Sequence, residues 1–420
     1  MLVKSQAAAA AAAAPRWARA LSATAPTRDA SATTSAAPPR ATPRAAPLPT
    51  RSVLEVSGPD AQKFLKGQMC KDVESLGGGY SGFLNASGRV LHTVFSIPTE
   101  PTKYLIAHDS GPDQPSPLDK LLPPFRLRSK VRIRDVSDAW DVWGAWGSQD
   151  VGDSPAPTAT WRFGSGGAAE RLWTWEDGER ASLNLADGEV GCWDLRAGWG
   201  QYGMGRKLFV PKGQKPSLLA HHDLVTPDDY DLYRMFLGVP EGSAEIVPGT
   251  ALPLESCMDV QGGVDFRKGC YLGQELTVRT YHTGATRKRI LPIRLFPLDG
   301  SASPLAAVPA SYPAMGPAPA AVDITYTPPP TAASKKSRSA GRILALHPMA
   351  SNVGLALVRL EFAERVWGHG LDLTVADYAS GLHGTLTAEI DGKQWGVYVG
   401  HGEAYASALA HTPPPPPPEE

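Results

Sequence analysis

The stretch Val264-Asp265-Phe266-Arg267-Lys268-Gly269-Cys270-Tyr271-Leu272-Gly273-Gln274-Glu275-Leu276-Thr277-Val278-Arg279-Thr280-Tyr281-His282-Thr283-Gly284 is the most chemically concentrated in the chain. It reads as a short strand, a glycine-punctuated turn, and a helix that starts near Gln274. On that helix Glu275, Arg279 and His282 share a face, at i, i+4 and i+7. Cys270 falls in the turn before the helix N-terminus, beside Arg267 and Lys268, the setting of a reactive thiol. The plainer readings are a cysteine buried as a small hydrophobe and a Glu275–Arg279 surface pair. From residue 266 to 289 six bases (Arg267, Lys268, Arg279, Arg287, Lys288, Arg289) face one acid, Glu275, a net +5. This is an anion-attracting island, although Arg287-Lys288-Arg289 reads equally well as a solvated turn or strand edge.

The chain around it is of ordinary globular composition: 420 residues, 42% hydrophobic and 20% charged, enough for two or three domains. Forty-one Lys and Arg against 42 Asp and Glu give a net charge of -1, so bulk charge points to no nucleic-acid or membrane partner. That charge is unevenly spread. Residues 1–50 hold six bases and one acid among 19 Ala and 10 Ser or Thr, the composition of a mitochondrial transit peptide, assigned to residues 1–48. A secretory signal built on Ala7 to Ala14 and a low-complexity tail are the rival readings. Removing this +5 from -1 leaves -6 for residues 51–420.

No apolar run approaches the roughly 18 residues of a membrane span. The four cysteines, Cys70, Cys192, Cys257 and Cys270, are too dispersed for a disulfide framework and form no C-x-x-C pair. A metal role would therefore need one thiol plus ligands from another molecule.

Folded sequence is expected from near Arg51, where Val53, Leu54 and Val56 suggest a strand and Ala61, Phe64 and Leu65 the helix after it. Val90 to Ile97, Tyr104 to Ala107 and Val131 to Val136 read as further strands. Thr226-Pro227-Asp228-Asp229 starts a helix with Tyr230, Tyr233 and Leu237 on one face and Gly238 as its stop. Residues 301–340, with eight Pro, read as a disordered insertion. Gly341 to Leu346, Val353 to Leu360 and Leu371 to Val375 suggest a small all-β module, and residues 411–420 an unpacked tail. Eight of the eleven tryptophans lie between Trp140 and Trp199, as a sheet core or as the wall of a flat ligand's site. Asp194-Leu195-Arg196 and Gly203-Met204-Gly205-Arg206 place two guanidiniums near glycine turns, suited to carboxylates or to pairing with Asp194.

Lys268-Gly269-Cys270-Tyr271-Leu272-Gly273-Gln274-Glu275 closely resembles the K-G-C-[FY]-x-G-Q-E signature of the YgfZ-type folate-binding proteins, whose mitochondrial members are iron-sulfur cluster assembly factors. Gly58-Pro59-Asp60-Ala61, Phe64 to Gln68, Gly88-Arg89-Val90-Leu91, Asp194-Leu195-Arg196, Gly238 to Gly242 and Leu252 to Glu255 extend the similarity over roughly residues 51–292. The family is related to the aminomethyltransferase (T-protein) of glycine cleavage. The resemblance implies an α+β fold: a ring of α+β subdomains around a central cavity over residues 49–292, closed by a C-terminal β-barrel-like module over residues 293–410.

It also implies a mitochondrial matrix protein that supports [4Fe-4S] maturation with A-type iron-sulfur carrier proteins, without nucleic-acid or membrane partners. Cys270 would be the functional thiol, offering a ligand to a cluster shared with the partner. Arg267 and Lys268 would keep it charged, and Gly269 and Gly273 would shape its turn. A tetrahydrofolate-type cavity would draw on Glu275 by motif position and on Arg279, Arg196 and Arg206 by charge. The alternative is a folate-dependent one-carbon transferase. Against it, the T-protein's G-G-x-x-D-D is matched here by Gly88-Arg89-Val90-Leu91-His92-Thr93, which has no carboxylate to relay a proton.

Overall fold

The computed structural model describes residues 42–73, 78–111, 114, 117–147, 156–175, 182–200, 203–298, 322–334, 336–350, 352–368, 378 and 380–413. The first elements are Arg44–Pro47 (β1), Arg51–Ser57 (β2), helix α1 (Ala61–Gln68), Gly79–Leu84 (β3), Val90–Glu100 (β4), Lys103–Asp109 (β5) and Arg132–Asp135 (β6). Then follow Trp140–Trp146 (β7), the hairpin Thr158–Phe163 and Ala169–Thr174 (β8, β9), Val190–Trp193 (β10), Arg206–Pro211 (β11) and Asp223–Leu224 (β12). One five-stranded sheet runs β3-β4-β5-β2-β6 and a second β10-β11-β7-β1-β12, so the described residues start in the second sheet, build the first, and return to the second.

Folded sequence therefore begins earlier than Arg51. Ala45 and Ala46 are fully buried in β1, inside the segment expected to be transit peptide, and residues 1–41 lie outside the described ones. An Ala-Ala pair between prolines carries no strand propensity, and only pairing on both sides, with β7 and β12, makes it a strand.

Helix α2 (Pro227–Leu237) has the expected start: Thr226 and Asp229 form a reciprocal capping box, Pro227 is the first helical residue, and Gly238 ends it at φ 72°. Irregular backbone leads from there to α3 (Gln274–Thr283). Lys288–Pro297 (β13), Asp323–Thr327 (β14), Arg338–Leu346 (β15), Val353–Arg359 (β16), Thr385–Ile390 (β17) and Lys393–Val399 (β18) close into a barrel in the order β13-β16-β15-β14-β17-β18. The barrel thus starts at Lys288 rather than at 293. The expected disordered insertion contains β14, in which Ile324 and Tyr326 point inward between outward Asp323 and Thr327, a period of two hidden among prolines.

Helices α4 (Leu360–Trp367) and α5 (Glu403–His411) pack on the barrel, which is accordingly not an all-β module. The Leu371–Val375 strand and residues 414–420 lie outside the described residues.

A buried charge cluster joins the two sheets. Arg196, 1% exposed, binds Asp194 through Nε and Nη2 at 2.9 and 2.6 Å and also contacts the Glu241 carboxylate. Glu241 further receives Arg51 of β2 at 2.7 Å and the Tyr230 hydroxyl of α2 at 2.6 Å, with Lys207 of β11 at 3.6 Å. Arg51 also pairs with Asp109 of β5 at 2.9 Å. Burial opposes ionisation of Glu241, but Lys207, Arg196 and Arg51 outweigh it and hold the carboxyl well below the usual range. Because the folded-state pKa is depressed, the stabilisation is complete above the unfolded value of 4.5 and is lost as pH falls through the lower folded one. Glu241→Gln strands these cations and is expected to cost about 3–5 kcal/mol at pH 7. Urea unfolding across the acid range checks it: the variant's stability should fall less steeply than the parent's below about pH 4.

Candidate functional site

Cys270 is exposed, whereas Cys70, Cys192 and Cys257 are buried. Three anchors hold its turn. Asp265 accepts from the Arg267 and Lys268 amides at 2.9 and 3.1 Å, while its own amide donates to the Cys70 carbonyl at 3.0 Å. The Lys268 ammonium donates to the Lys66, Met69 and Lys71 carbonyls at 2.6, 2.6 and 3.3 Å, with the Tyr271 ring 4.8 Å away. Past the cysteine, the Leu272 amide donates to the Gly67 carbonyl at 3.1 Å, and Gln274 Oε1 accepts from the Tyr271 amide at 3.2 Å.

Lys268 is thus spent on fastening the turn to the end of α1, a role that its neighbourhood to Cys270 in sequence does not disclose. Its burial lowers its pKa to about 8.

Of the two turn glycines, Gly273 is the constrained one. It has φ 78°, and a Cβ there would sit 2.2 Å from the Asn85 carbonyl, whereas around Gly269 there is open space. Helix α3 starts at Gln274 as the periodicity predicts, with Thr277 and Tyr281 buried. Glu275, Arg279 and His282 do share a face, and it is the solvent face.

Beside the turn lies a cavity of about 560 Å³. Its walls come from Tyr80 of β3, the hairpin residues Glu170, Arg171 and Trp173, Trp193 of β10, and Gln261 with Asp265, Arg267 and Lys268 of the motif segment, which is irregular backbone rather than the expected strand. Cys270 follows two residues after the last wall residue, Lys268. Several buried polar atoms on this wall have no hydrogen-bond partner: Gln261 Oε1, Trp173 Nε1, Arg171 Nε and Glu170 Oε2, the last 4.0 Å from the Arg162 guanidinium. Burial, and then the charge of Asp265, push the Glu170 carboxyl up. Arg171 spans from this wall to α5, binding Glu403 at 2.8 and 3.0 Å, and packs on the Trp161 and Trp173 rings.

Of the four residues expected in the cavity, Arg196 alone lines it. Arg206 is buried 4.8 Å from the Trp193 ring, and Glu275 and Arg279 stand on the exposed face of α3. Charge alone placed these arginines, and charge does not tell an inward guanidinium from one already committed to a neighbour. Arg196 and Asp194 are such a pair, and Arg289 is fully buried in a two-pronged pair with Asp259, which dismantles the Arg287-Lys288-Arg289 run as a surface patch.

The tryptophans divide between both readings, Trp143 and Trp146 in the core and Trp173, Trp175 and Trp193 on the cavity. Glu170 and Gln261 were not foreseen. An adjacent acid and base set between apolar residues in Ala169-Glu170-Arg171-Leu172-Trp173 was the available signal for Glu170. On β4, Thr93 lines a small inner cavity with Arg51, Lys207 and Glu241, while His92 turns the other way to meet Gln114 and the His108 ring.

The architecture is that of the aminomethyltransferases. The chain matches the crystal structure of the glycine cleavage system aminomethyltransferase T from Bartonella henselae with a TM-score of 0.55 over 87% of each chain, at 13% identity. No family model matches the sequence. In sequence it is 62% identical over 376 residues to the mitochondrial iron-sulfur cluster assembly factor IBA57 homolog of Cryptococcus neoformans var. neoformans, covering 88% of this chain and 98% of that one. To the IBA57 homolog of Neurospora crassa it is 35% identical over 334 residues, covering 75% and 69%. The chain belongs to this family of mitochondrial iron-sulfur cluster assembly factors.

The two turn glycines separate by substitution. Gly273→Ala should destabilise the protein by about 2 kcal/mol or more, because it combines a left-handed backbone with a backbone clash. Gly269→Ala should stay within about 0.5 kcal/mol of the parent. Chemical denaturation of both checks the assignment.

Proposed function

We propose that the protein supports maturation of [4Fe-4S] proteins in the mitochondrial matrix, acting with an A-type iron-sulfur carrier, and that Cys270 is the ligand it contributes to the shared cluster. The observation carrying this reading is the exposure of Cys270 on a turn fastened at both ends. Thiolate is the soft ligand that iron-sulfur clusters take, and the thiol's proton leaves to solvent on binding. Among the described residues no three His, Cys, Asp or Glu side chains group closely enough to hold a metal ion. The cluster's remaining ligands therefore come from the partner, and the cluster is cargo.

The cavity fits a tetrahydrofolate-type ligand. Its volume lies within the ~300–1,000 Å³ of small-molecule sites. Trp173, Trp175 and Trp193 offer flat apolar walls, and the atoms of Glu170, Gln261 and Trp173 that have no hydrogen bond offer both acceptors and a donor to a polar heterocycle. Arg162, Arg171 and Arg267 bring positive charge to the same cavity, suited to a carboxylate tail. These residues bind and orient the ligand and keep water from its ring. A folate supplies one-carbon chemistry when bound, but with Thr93 in place of a carboxylate no acid of this chain takes the T-protein's proton-relay position.

Two experiments test the reading. Cys270→Ser should fold like the parent yet fail to restore [4Fe-4S] enzymes in depleted cells; full aconitase activity in that rescue would refute the thiol's role. Titration with tetrahydrofolate should quench tryptophan fluorescence saturably, and Gln261→Leu should weaken binding about tenfold, as loss of one buried hydrogen bond predicts.

A further inference from the structure

We infer that the docking face for the cluster-bearing partner runs from the Cys270 turn along the outside of α1 to the loop Phe125–Lys130, and that it receives an acidic protein with an apolar cleft for Leu127. The inference rests on the reading that a cluster is shared at Cys270, and it names the surface that brings the carrier there.

Residues 123–134 contain five bases and no acid. Arg126 and Arg128 are exposed and enter no ion pair among the described residues. Between them Leu127 is 87% exposed, and Phe125 beside it is 37% exposed. Leu127 also has φ 46°, a left-handed backbone that disfavours leucine and suits glycine or asparagine. A leucine held in solvent on a backbone that penalises it contributes nothing to this fold, and its apolar surface remains available to another molecule.

Helix α1 sets this loop next to the thiol. At its start Asp60 Oδ2 accepts from the Lys130 amide at 2.6 Å, and Lys63 shares a shallow hollow with Leu127 and Arg128. At its end the Gly67 and Lys66 carbonyls hold Leu272 and Lys268 of the Cys270 turn. Eight residues at 1.5 Å each separate the two ends by about 12 Å, well within one protein interface.

Charge complementarity selects the occupant. A thiolate-held iron-sulfur cluster is anionic, so a carrier presenting one toward Cys270 is drawn by the exposed Arg126, Arg128 and Lys63. In such an interface the exposed leucine is the anchor that slows dissociation, and the rim arginines speed encounter.

The test uses the full chain and a recombinant A-type carrier prepared with and without a [2Fe-2S] cluster. Leu127→Asn should melt at or above the parent's temperature, since asparagine tolerates the left-handed backbone, yet weaken carrier binding at least about tenfold. The double reversal Arg126→Glu, Arg128→Glu should slow association about tenfold at low salt, with the difference shrinking as salt rises. Cys270→Ser should instead keep affinity for the cluster-free carrier while losing the complex's visible cluster absorption.

If both loop variants bind like the parent while Cys270→Ser loses the cluster spectrum, the docking face is wrong and the shared-cluster reading stands. If the parent complex forms no cluster spectrum, both readings fall. Loss of binding to phosphatidylcholine–phosphatidylserine vesicles with carrier affinity unchanged would assign the loop to a membrane surface and overturn the inference.

Discussion

The contact between Arg196 and the two carboxylates of Asp194 and Glu241 is the constraint on which the ring depends. A guanidinium 1% exposed is tolerable only if its donors are taken and its charge is balanced, and here both conditions bring separate parts of the chain together. Asp194 follows β10 of the second sheet, Glu241 follows α2, and Glu241 in turn holds Arg51 of the first sheet. An interdigitated hydrophobic seam could join the same elements with equal or better stability. What the charges add is direction, since each pair is satisfied in one relative placement of the sheets. The aromatic rings of Tyr80 and Phe95, 5.1 and 4.8 Å from the Arg196 guanidinium, complete its enclosure.

The motif segment inherits its position from that frame. Tyr80 belongs to the Arg196 enclosure and to the cavity wall, and the cavity wall continues through Asp265, Arg267 and Lys268 into the Cys270 turn. A side chain that would otherwise search solvent is replaced by a lysine tied to three carbonyls at the end of α1. Gly273 then lets α3 approach the Asn85 carbonyl more closely than any other residue would allow. The result is a thiol that is exposed and at the same time fixed in place, the combination a shared ligand needs, because an exposed thiol on a free loop would lose ordering entropy on every encounter.

What could be read in advance divides along physical lines. The turn and helix around Cys270 and the capped helix at Thr226 were legible because each is written in local chemistry: glycines at turns, a capping pair, apolar periodicity. The strand expected before Cys270 is irregular backbone instead, and the α+β architecture followed from the family resemblance. β1 was not, since Ala45-Ala46 becomes a strand only through its neighbours on both sides. β14 was masked by the prolines around it although its five residues alternate as a strand should. The cavity was the least legible part. Arg196, Arg206 and Arg279 were chosen by charge and Glu275 by motif position, but whether a charge faces a cavity, a carboxylate or water is decided by packing between segments far apart in sequence. Glu170 and Gln261, which do face the cavity, look in the sequence like surface residues.

The same charge balance accounts for Thr93. At the inner cavity the cations Arg51, Arg196 and Lys207 are matched by Asp109, Asp194 and Glu241, three against three, so no spare positive charge remains to compensate another carboxylate. An aspartate at the Thr93 position would add a fourth buried anion to a closed set, at the cost of an uncompensated charge. The Lys207 ammonium is already strained in this sense: burial lowers its pKa, with Glu241 and Asp194 restoring part of it. Threonine keeps the position polar and neutral. His92 cannot take over, because strand alternation directs it away from the cavity toward His108 and Gln114. On the reading proposed here, the ring's interior has become a neutral, fully paired frame around a ligand site, and the reactive group stands outside it on the turn that the frame holds still.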